Sequence, residues 1–385
     1  MRRLENTAMN GSRSDVKPRT GCLHGVNLSD LLEREIVPLQ SAEAQALLKN
    51  QVILVTGAAG SIGSELCRQL LDYEPELVIA LDTNETGLFD LAESLRHHPR
   101  AANLFPYIGD IRDAQAMSRL FTKVRPRIVF HAAAYKHVPL MEQFPDQAVH
   151  TNALATYHLC RLAGERGVDR FIFVSTDKAA APVSILGASK RAGELVVQSL
   201  AQMECYQTRF CAVRFGNVIG SRGSVVPLFA RQIESGGPVT VTDPEATRYF
   251  MTIPEACGLV ITTAAIAEQG GLYMLDMGYP MRILDLAVKM LRLYGLREGR
   301  DIQIVFTGLR PGERLHETLV ASDEELVSTV HDKIFSVVYT CGIPAPSTIM
   351  QWMLSLDEAL QSDRMAQLRD CLFEMVQVHE LIAAI

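Results

Sequence analysis

None of the eight cysteines is spaced C-x-x-C, so the chain announces neither a thiolate zinc site nor a redox dithiol. No metal centre is expected. A run of about 18 apolar residues, the length that spans a bilayer, is also missing. The opening MRRLENTAMNGSRSDVKPRT is basic but has no apolar stretch behind it, and so does not read as a secretory signal. Basic charge is scarce overall: 37 Lys and Arg against 44 Asp and Glu leave a net charge of −7. That balance argues against nucleic acid or an anionic membrane as a partner. Internal repeats and low-complexity tracts are absent. Scattered thiols with no pairing pattern suit a reducing cytoplasm, the expected location.

What is present is 48% hydrophobic side chains over 385 residues, enough for a large core and a nucleotide domain with a smaller lobe attached. Residues 1–27 are polar and aperiodic and are expected to form a mobile tail. Residues 28–50 form a lead-in segment, with Asp30-Leu-Leu-Glu33 as a short capped turn. From Gln51 short β-branched runs alternate with helical patterns. Strands are expected over 52–56, 77–81, 104–108, 127–131, 170–175 and 209–214, and helices over Ser61–Leu71, Asp113–Thr122, Gln147–Arg166 and Ser184–Gln202. Such alternation predicts an α/β fold, a doubly wound parallel sheet of Rossmann type over 51–216. Beyond Asn217 Gly- and Pro-rich turns punctuate shorter elements, which predicts a smaller C-terminal substrate-binding lobe over 217–330. Residues 331–385 read as a closing strand and helices.

Gly57-x-x-Gly60-x-x-Gly63 lies between the first strand and a helix pattern. Glycines there permit a tight turn and close approach of the backbone, with Ser61 and Ile62, to a pyrophosphate at the helix N-terminus. Alone the motif is weak. Asp82 strengthens it, ending the second strand 19 residues after Gly63, where a carboxylate accepts hydrogen bonds from an adenosine ribose. Asp110 and Ile111 end the third strand, in reach of an adenine. A carboxylate at 82 repels a 2′-phosphate, and no arginine intervenes before Arg96, so NAD is favoured over NADP. His131-Ala132-Ala133-Ala134 closes the fourth strand with side chains small enough for a nicotinamide to lie against the backbone.

Phe171-Ile-Phe-Val-Ser-Thr-Asp-Lys178 is an apolar strand running into polar residues. In open α/β sheets the carboxyl ends of strands face the ligand crevice, which aims Thr176, Asp177 and Lys178 at the site. Taken alone, Ser-Thr-Asp serves equally well as a helix cap. The helix over Ser184–Gln202 places Leu186 and Lys190 four residues apart on one face, with Lys190 suited to hydrogen-bond the nicotinamide ribose.

As a set, VTGAAGSIGSELCRQLL, HAAAYKHVPLME, STDKA, RFGNVIGSRGSVVPLF, TRYFMTIPEA and GLRPGERLHE resemble the bacterial UDP-N-acetylglucosamine 4,6-dehydratases of polysaccharide biosynthesis, the CapD type of extended short-chain dehydrogenases. The likeness spans roughly residues 30 to 320. Leu186 stands where most of that superfamily has tyrosine, and CapD-type members lack the tyrosine too. Many members carry membrane-spanning helices ahead of the nucleotide domain, a segment this chain does not show. The resemblance implies a closed redox cycle on a UDP-sugar: oxidation at C4, proton abstraction at C5 by Lys178, water loss aided by Asp177, and hydride return to C6. For that task the pKa of Lys178 must fall and that of Asp177 must rise, as burial provides and as their direct pairing would oppose. The acceptor of the C4 hydroxyl proton is open, with Asp177, or Thr176 through a water, as the candidates. By motif, Lys136, Asn217, Arg222, Arg248 and Arg310 are expected on the sugar nucleotide and its diphosphate, and Glu313 on the uridine ribose. The resemblance further implies a homodimer, or a higher homo-oligomer, paired through Gln147–Arg166 and Ser184–Gln202. Two alternatives stay open: a UDP-hexose 4-epimerase, and a non-catalytic NAD-binding regulator.

Overall fold

The protein is described by a computed structural model that covers residues 22–23, 26–27, 31, 41–340, 342–362 and 364–382. Most of the expected tail, and all of the Asp30–Glu33 turn but Leu31, lie outside the described residues. Within 1–27 a two-residue antiparallel pairing joins Cys22–Leu23 to Val26–Asn27. A short helix, Ala42–Leu48, capped by the Ser41 hydroxyl, leads into the sheet.

The six expected strands form within a residue of their expected bounds: β1 (Val52–Thr56), β2 (Leu77–Asp82), β3 (Leu104–Ile108), β4 (Ile128–His131), β5 (Arg170–Val174) and β6 (Arg209–Arg214). Three more join them: β7 (Gly271–Leu275), β8 (Glu324–Ser328) and β9 (Ile334–Tyr339). The spatial order is β8-β9-β7-β6-β5-β4-β1-β2-β3. Pairing is parallel from β7 to β3, whereas β9 runs antiparallel to both β7 and β8. The sheet thus takes in strands from segments expected to belong to the lobe and the closing region. Chain order reverses between β1 and β4, which opens the ligand crevice at their carboxyl ends.

The helices that flank this sheet and matter to the site are α1 (Ser61–Asp72), α2 (Ala155–Glu165), α3 (Ile185–Leu200), α4 (Ile253–Ile266), α5 (Pro346–Gln361) and α6 (Met365–Ile382). Side chains alternate across the pleat. Phe171 and Phe173 enter a core built with α2, α3, α5 and α6, while Ile172 and Val174 enter the opposite core with α1 and α4. A third cluster, with Phe229, Val239, Leu286 and Met290, forms the lobe and includes Leu31. The helix expected over Gln147–Arg166 is not uniform, because a π-helical stretch, Val149–Leu154, precedes α2. Such wide turns collect at functional sites, and this one carries Asn152. No helix among the described residues is long and apolar enough to cross a membrane.

All residues of α3 are buried. The cause is the pair α5 and α6, which pack on it and contribute Ile349, Met353, Leu356, Leu368, Leu372 and Met375 to the same core. Of the two stretches through which pairing with a second copy was expected, Ser184–Gln202 is thus largely covered by the chain itself, while Gln147–Arg166 keeps His158, Arg161 and Glu165 exposed. Truncating Leu372, which is 0% exposed, to alanine is expected to destabilise the fold by about 2–5 kcal/mol. Leu354→Ala, on the outer side of α5 at 56% exposure, should stay within about 0.5 kcal/mol. Urea unfolding of both variants checks the pair.

Candidate active site

The turn after β1 is built by exclusion of side chains. Gly57 has φ +70°, and a Cβ there would lie 2.6 Å from the Ala133 nitrogen, while one on Gly63 would lie 2.1 Å from the Gly57 carbonyl oxygen. Gly60 caps α1, which begins with Ser61 and Ile62. Asp82 braces this turn, its Oδ2 accepting from Ala59 N and its Oδ1 from Asn84 N, both at 2.9 Å. A carboxylate has about four acceptor positions, so two remain for a ribose. The sequence placed Asp110 toward adenine. Its side chain is held by Arg112, with Nη2 2.6 Å from Oδ2, and the hydrogen bond from that guanidinium holds its carboxyl below the usual range. Ile111 is buried in the core.

The crevice floor is fixed by a hydrogen-bond chain that the sequence did not reveal. Thr156 Oγ1 donates to the Asn152 carbonyl at 2.8 Å, so it accepts from His131 Nε2 at 2.9 Å. His131 Nδ1 then accepts from Thr56 Oγ1 at 2.7 Å, and Thr56 Oγ1 accepts from Ala133 N at 3.3 Å. Burial, with Lys190 nearby, pushes His131 down to about 3, which keeps the ring neutral and the tautomer set. Ala132, Ala133 and Ala134 follow, each partly exposed. Asn152 in turn clasps Tyr135 through its backbone N–H and carbonyl, and donates to Ser189 Oγ at 3.0 Å.

At the end of β5, Thr176 Oγ1 donates to Asp177 Oδ1 at 2.9 Å. Lys178 Nζ lies 3.0 Å from the same oxygen, 3.3 Å from Asn217 Oδ1 and 3.2 Å from Glu317 Oε1. Asp177 Oδ2 is buried without a partner. The structure therefore brings together Thr176, Asp177, Lys178 and Asn217, and it adds Glu317. The expected fall in the Lys178 pKa is corrected here: burial does pull it down, but the charges of Asp177 and Glu317 outweigh burial and raise it. Lys190 behaves oppositely. Its Nζ donates to the Val174 carbonyl at 2.6 Å and lies 4.0 Å from the Phe173 ring centre, and burial moves it down to about 7, against the pull of Glu194.

Asp177, Lys178, Arg248, Glu313 and Glu317 line one cleft. Arg248 Nε is 3.4 Å from Glu317 Oε1, and its Nη atoms donate to the Thr247, Leu315 and Arg314 carbonyls. Arg310 is half exposed, 3.9 Å from Glu313, and stands outside the cleft wall. Lys136 and Arg222 also fall elsewhere. Lys136 reaches Ser221 Oγ at 3.5 Å, and Arg222 sits against the glycine turn, donating from its backbone to Ser61 Oγ at 3.1 Å and from Nη2 to the Ala59 carbonyl. Glu317 lies within GLRPGERLHE, yet nothing in that stretch signals that the glutamate four residues beyond Glu313 meets Lys178.

Beneath the site lies a buried charge cluster. Arg214, 0% exposed, grips Glu194 with Nε and Nη2, both at 2.7 Å, and Glu324 with Nη1 at 2.7 Å and Nη2 at 2.9 Å. Arg191 Nη1 reaches Glu324 at 3.1 Å and Glu194 at 3.3 Å, and it also meets the Tyr339 hydroxyl. Ser175 Oγ donates to Glu194 Oε1 at 2.6 Å, which ties the strand end that bears Thr176 and Asp177 to α3.

Comparison with known proteins agrees with this geometry. A family model described as polysaccharide biosynthesis protein matches residues 53–339. The chain is 46% identical, over 314 residues, to the capsular polysaccharide biosynthesis protein CapD of Staphylococcus aureus, covering 81% of this chain and 52% of that protein. It thus spans about half the length of the curated relatives it matches. Among solved structures, Pen from Bacillus thuringiensis superposes with a TM-score of 0.69 at 33% identity, covering 78% of this chain and 89% of that one. DesIV, a dTDP-glucose 4,6-dehydratase of Streptomyces venezuelae solved with NAD bound, gives 0.61 at 26% identity, covering 70% and 88%.

The charge cluster makes a sharp test of the scaffold. Removing one member leaves its partners charged, buried and unpaired. Glu324→Ala is expected to cost about 3–5 kcal/mol, measured by chemical denaturation. A loss below about 1 kcal/mol, the range of an exposed pair, would contradict a buried cluster.

Proposed function

The chain belongs to the polysaccharide biosynthesis protein family, and from that premise we propose that it is an NAD-dependent, C5-retaining UDP-N-acetylglucosamine 4,6-dehydratase. Its product would be a UDP-4-keto-6-deoxy sugar for surface polysaccharide or glycan synthesis, made in the cytoplasm. The observation that supports this most is the contact of Asp177 and Lys178 in the cleft at the end of β5, on a sheet whose helix α3 offers Leu186, not a phenol, four residues before Lys190.

The residues around the crevice suit NAD. Gly57, Gly60, Ser61, Ile62 and Gly63 would cradle the pyrophosphate, Asp82 the adenosine ribose, and Asp110 with Ile111 the adenine. Ala132, Ala133, Ala134 and Lys190 would take the nicotinamide half. The cofactor supplies reversible hydride transfer, out of sugar C4 and back into C6. Everything else falls to the chain.

Asp177 accepts the C4 hydroxyl proton through Oδ2, the oxygen left free while Thr176 and Lys178 hold Oδ1. That same proton then serves the C6 hydroxyl as it departs as water. Lys178 takes the C5 proton, acidified by the new C4 ketone, and returns it to the same face. As a base it must be neutral, and two carboxylates oppose this at rest. Protonation of Asp177 in the first step removes one of those charges, so Lys178 loses affinity for its proton when the base is required. Lys178 is 19% exposed in its side chain, which leaves it a route to exchange that proton with water. Arg248 and Glu313 meet the nucleotide diphosphate and ribose from the facing wall of the cleft, with Arg310 at its rim.

Incubation of the purified chain with UDP-N-acetylglucosamine, without added NADH, should give a sugar nucleotide lighter by one water in the mass spectrum. An unchanged mass with a C4 epimer appearing by chromatography would sink the dehydratase in favour of an epimerase. The pH dependence offers a second test. Because Asp177 and Glu317 raise the pKa of Lys178, base-form enzyme accumulates only as pH rises, and kcat should climb on the alkaline side. Glu317→Gln removes one of the two charges and should move that rising limb about one unit toward lower pH. A limb that stays in place would show that Glu317 does not set the titration of Lys178.

A further inference from the structure

The segment Gly220–Ser224 is a built turn that reaches from the lobe to the nucleotide half. Gly220 and Gly223 both have positive φ, +75° and +70°, and Ser224 N donates back to the Ser221 carbonyl at 3.0 Å. A Cβ on Gly223 would lie 2.6 Å from His137 Cε1, so the turn is pressed against the segment after β4. Two contacts locate Arg222, one from its backbone and one from its guanidinium. Its backbone N–H donates to Ser61 Oγ at 3.1 Å, and its Nη2 donates to the Ala59 carbonyl. Both acceptors belong to the Gly57–Gly63 turn, 163 and 161 residues away in sequence. Lys136 lies alongside, its pKa lowered by burial and by the neighbouring Arg222 charge. Two cations thus lie together beside the glycine turn.

We propose that Arg222 is a cofactor clamp, pairing its guanidinium with the pyrophosphate of the bound dinucleotide and not with the diphosphate of the sugar nucleotide. The assignment rests on the dinucleotide reading of the site. The sugar-side groups Lys178, Arg248, Glu313 and Glu317 line a cleft in which Arg222 takes no part. The contacts of Arg222 with the protein are to the glycine turn and to nothing in that cleft. The chemistry gives the clamp a purpose. A cycle that returns its electrons to the same sugar never needs to release the cofactor. A cation arching over the turn holds it through successive turnovers.

The test uses the full chain stripped of cofactor, titrated calorimetrically with NAD and, separately, with UDP. Arg222→Gln is expected to weaken NAD binding by about 10- to 100-fold, the loss of one charge-assisted hydrogen-bonding group, with UDP affinity unchanged. Arg222→Lys, which keeps the charge without the planar fork, should fall between, and it is the informative variant if the glutamine substitution does not fold. Unchanged NAD affinity in both variants overturns the clamp. So does a loss confined to UDP, which would return Arg222 to the sugar nucleotide. A wild-type chain that binds no NAD overturns the dinucleotide reading itself, and the clamp with it. Because neither titration requires turnover, the result is independent of which UDP-sugar is the substrate.

Discussion

Two arginines and two glutamates buried together set the geometry from which the rest of this structure follows. Arg214 lies on the interior strand β6, Glu194 and Arg191 on α3, and Glu324 on β8. Their formal charges cancel, and the Arg214 fork is used on both carboxylates. A buried set of this kind is weak evidence for stability, because well-packed apolar side chains often do as well. What it provides is directional. Apolar packing would let α3 slide on the sheet, whereas two bidentate contacts fix its register. Lys190 is one residue before Arg191, and Ser175, bound to Glu194, is one residue before Thr176. Both functional segments are therefore indexed to the same charges. Glu324 and Tyr339 bring the closing hairpin into the same arrangement, so residues far along the chain help define the end of β5.

The site above this cluster separates two lysines by environment. Lys190 has a carbonyl and an aromatic ring for neighbours, and burial lowers it to about 7. Lys178 is surrounded by acceptors, two of them charged, and is raised. Environments that push like groups apart assign different tasks to them. A lysine near neutrality is a hydrogen-bond donor whose charge adds little repulsion beside an oxidised nicotinamide. A lysine locked in an ion pair is a base only after its partner has taken a proton. In the proposed cycle this would put Asp177 first and Lys178 second.

Much of this was legible in the sequence. The six strands of the nucleotide fold came from apolar runs bounded by turn residues, and they lie within one residue of the observed ends. Gly57 and Gly63 were read from spacing, and the distances to Ala133 and Gly57 show why no other residue fits. Thr176, Asp177 and Lys178 were placed by a rule about strand ends; they follow β5, with Asp177 and Lys178 lining the cleft. What stayed hidden depends on contacts across long separations. Glu317 meets Lys178 139 residues away (317 − 178), and β7 and the closing hairpin join the sheet from segments that read as lobe and tail. The Lys178 pKa went the other way for the same reason, since burial is legible from an apolar strand and a distant glutamate is not. Arg222 was expected on the sugar nucleotide, and the fold sets its loop against the glycine turn instead.

The absence of a phenol on α3 then has a structural meaning. Leu186 is 5% exposed and belongs to the core that α5 and α6 complete. A tyrosine at that position would bring a hydroxyl that must either reach the crevice or be buried unpaired, at about 1–3 kcal/mol. With leucine the first turn of α3 is a packing element, and the proposed cycle assigns proton transfer to the end of β5. That assignment suits a reaction that asks for an acid and a base in succession, since Asp177 and Lys178 share one hydrogen bond and Asp177 strengthens the hold of Lys178 on its proton. A single phenol four residues from its lysine offers one proton site. The adjacent pair offers two, and the buried charges below keep them in register.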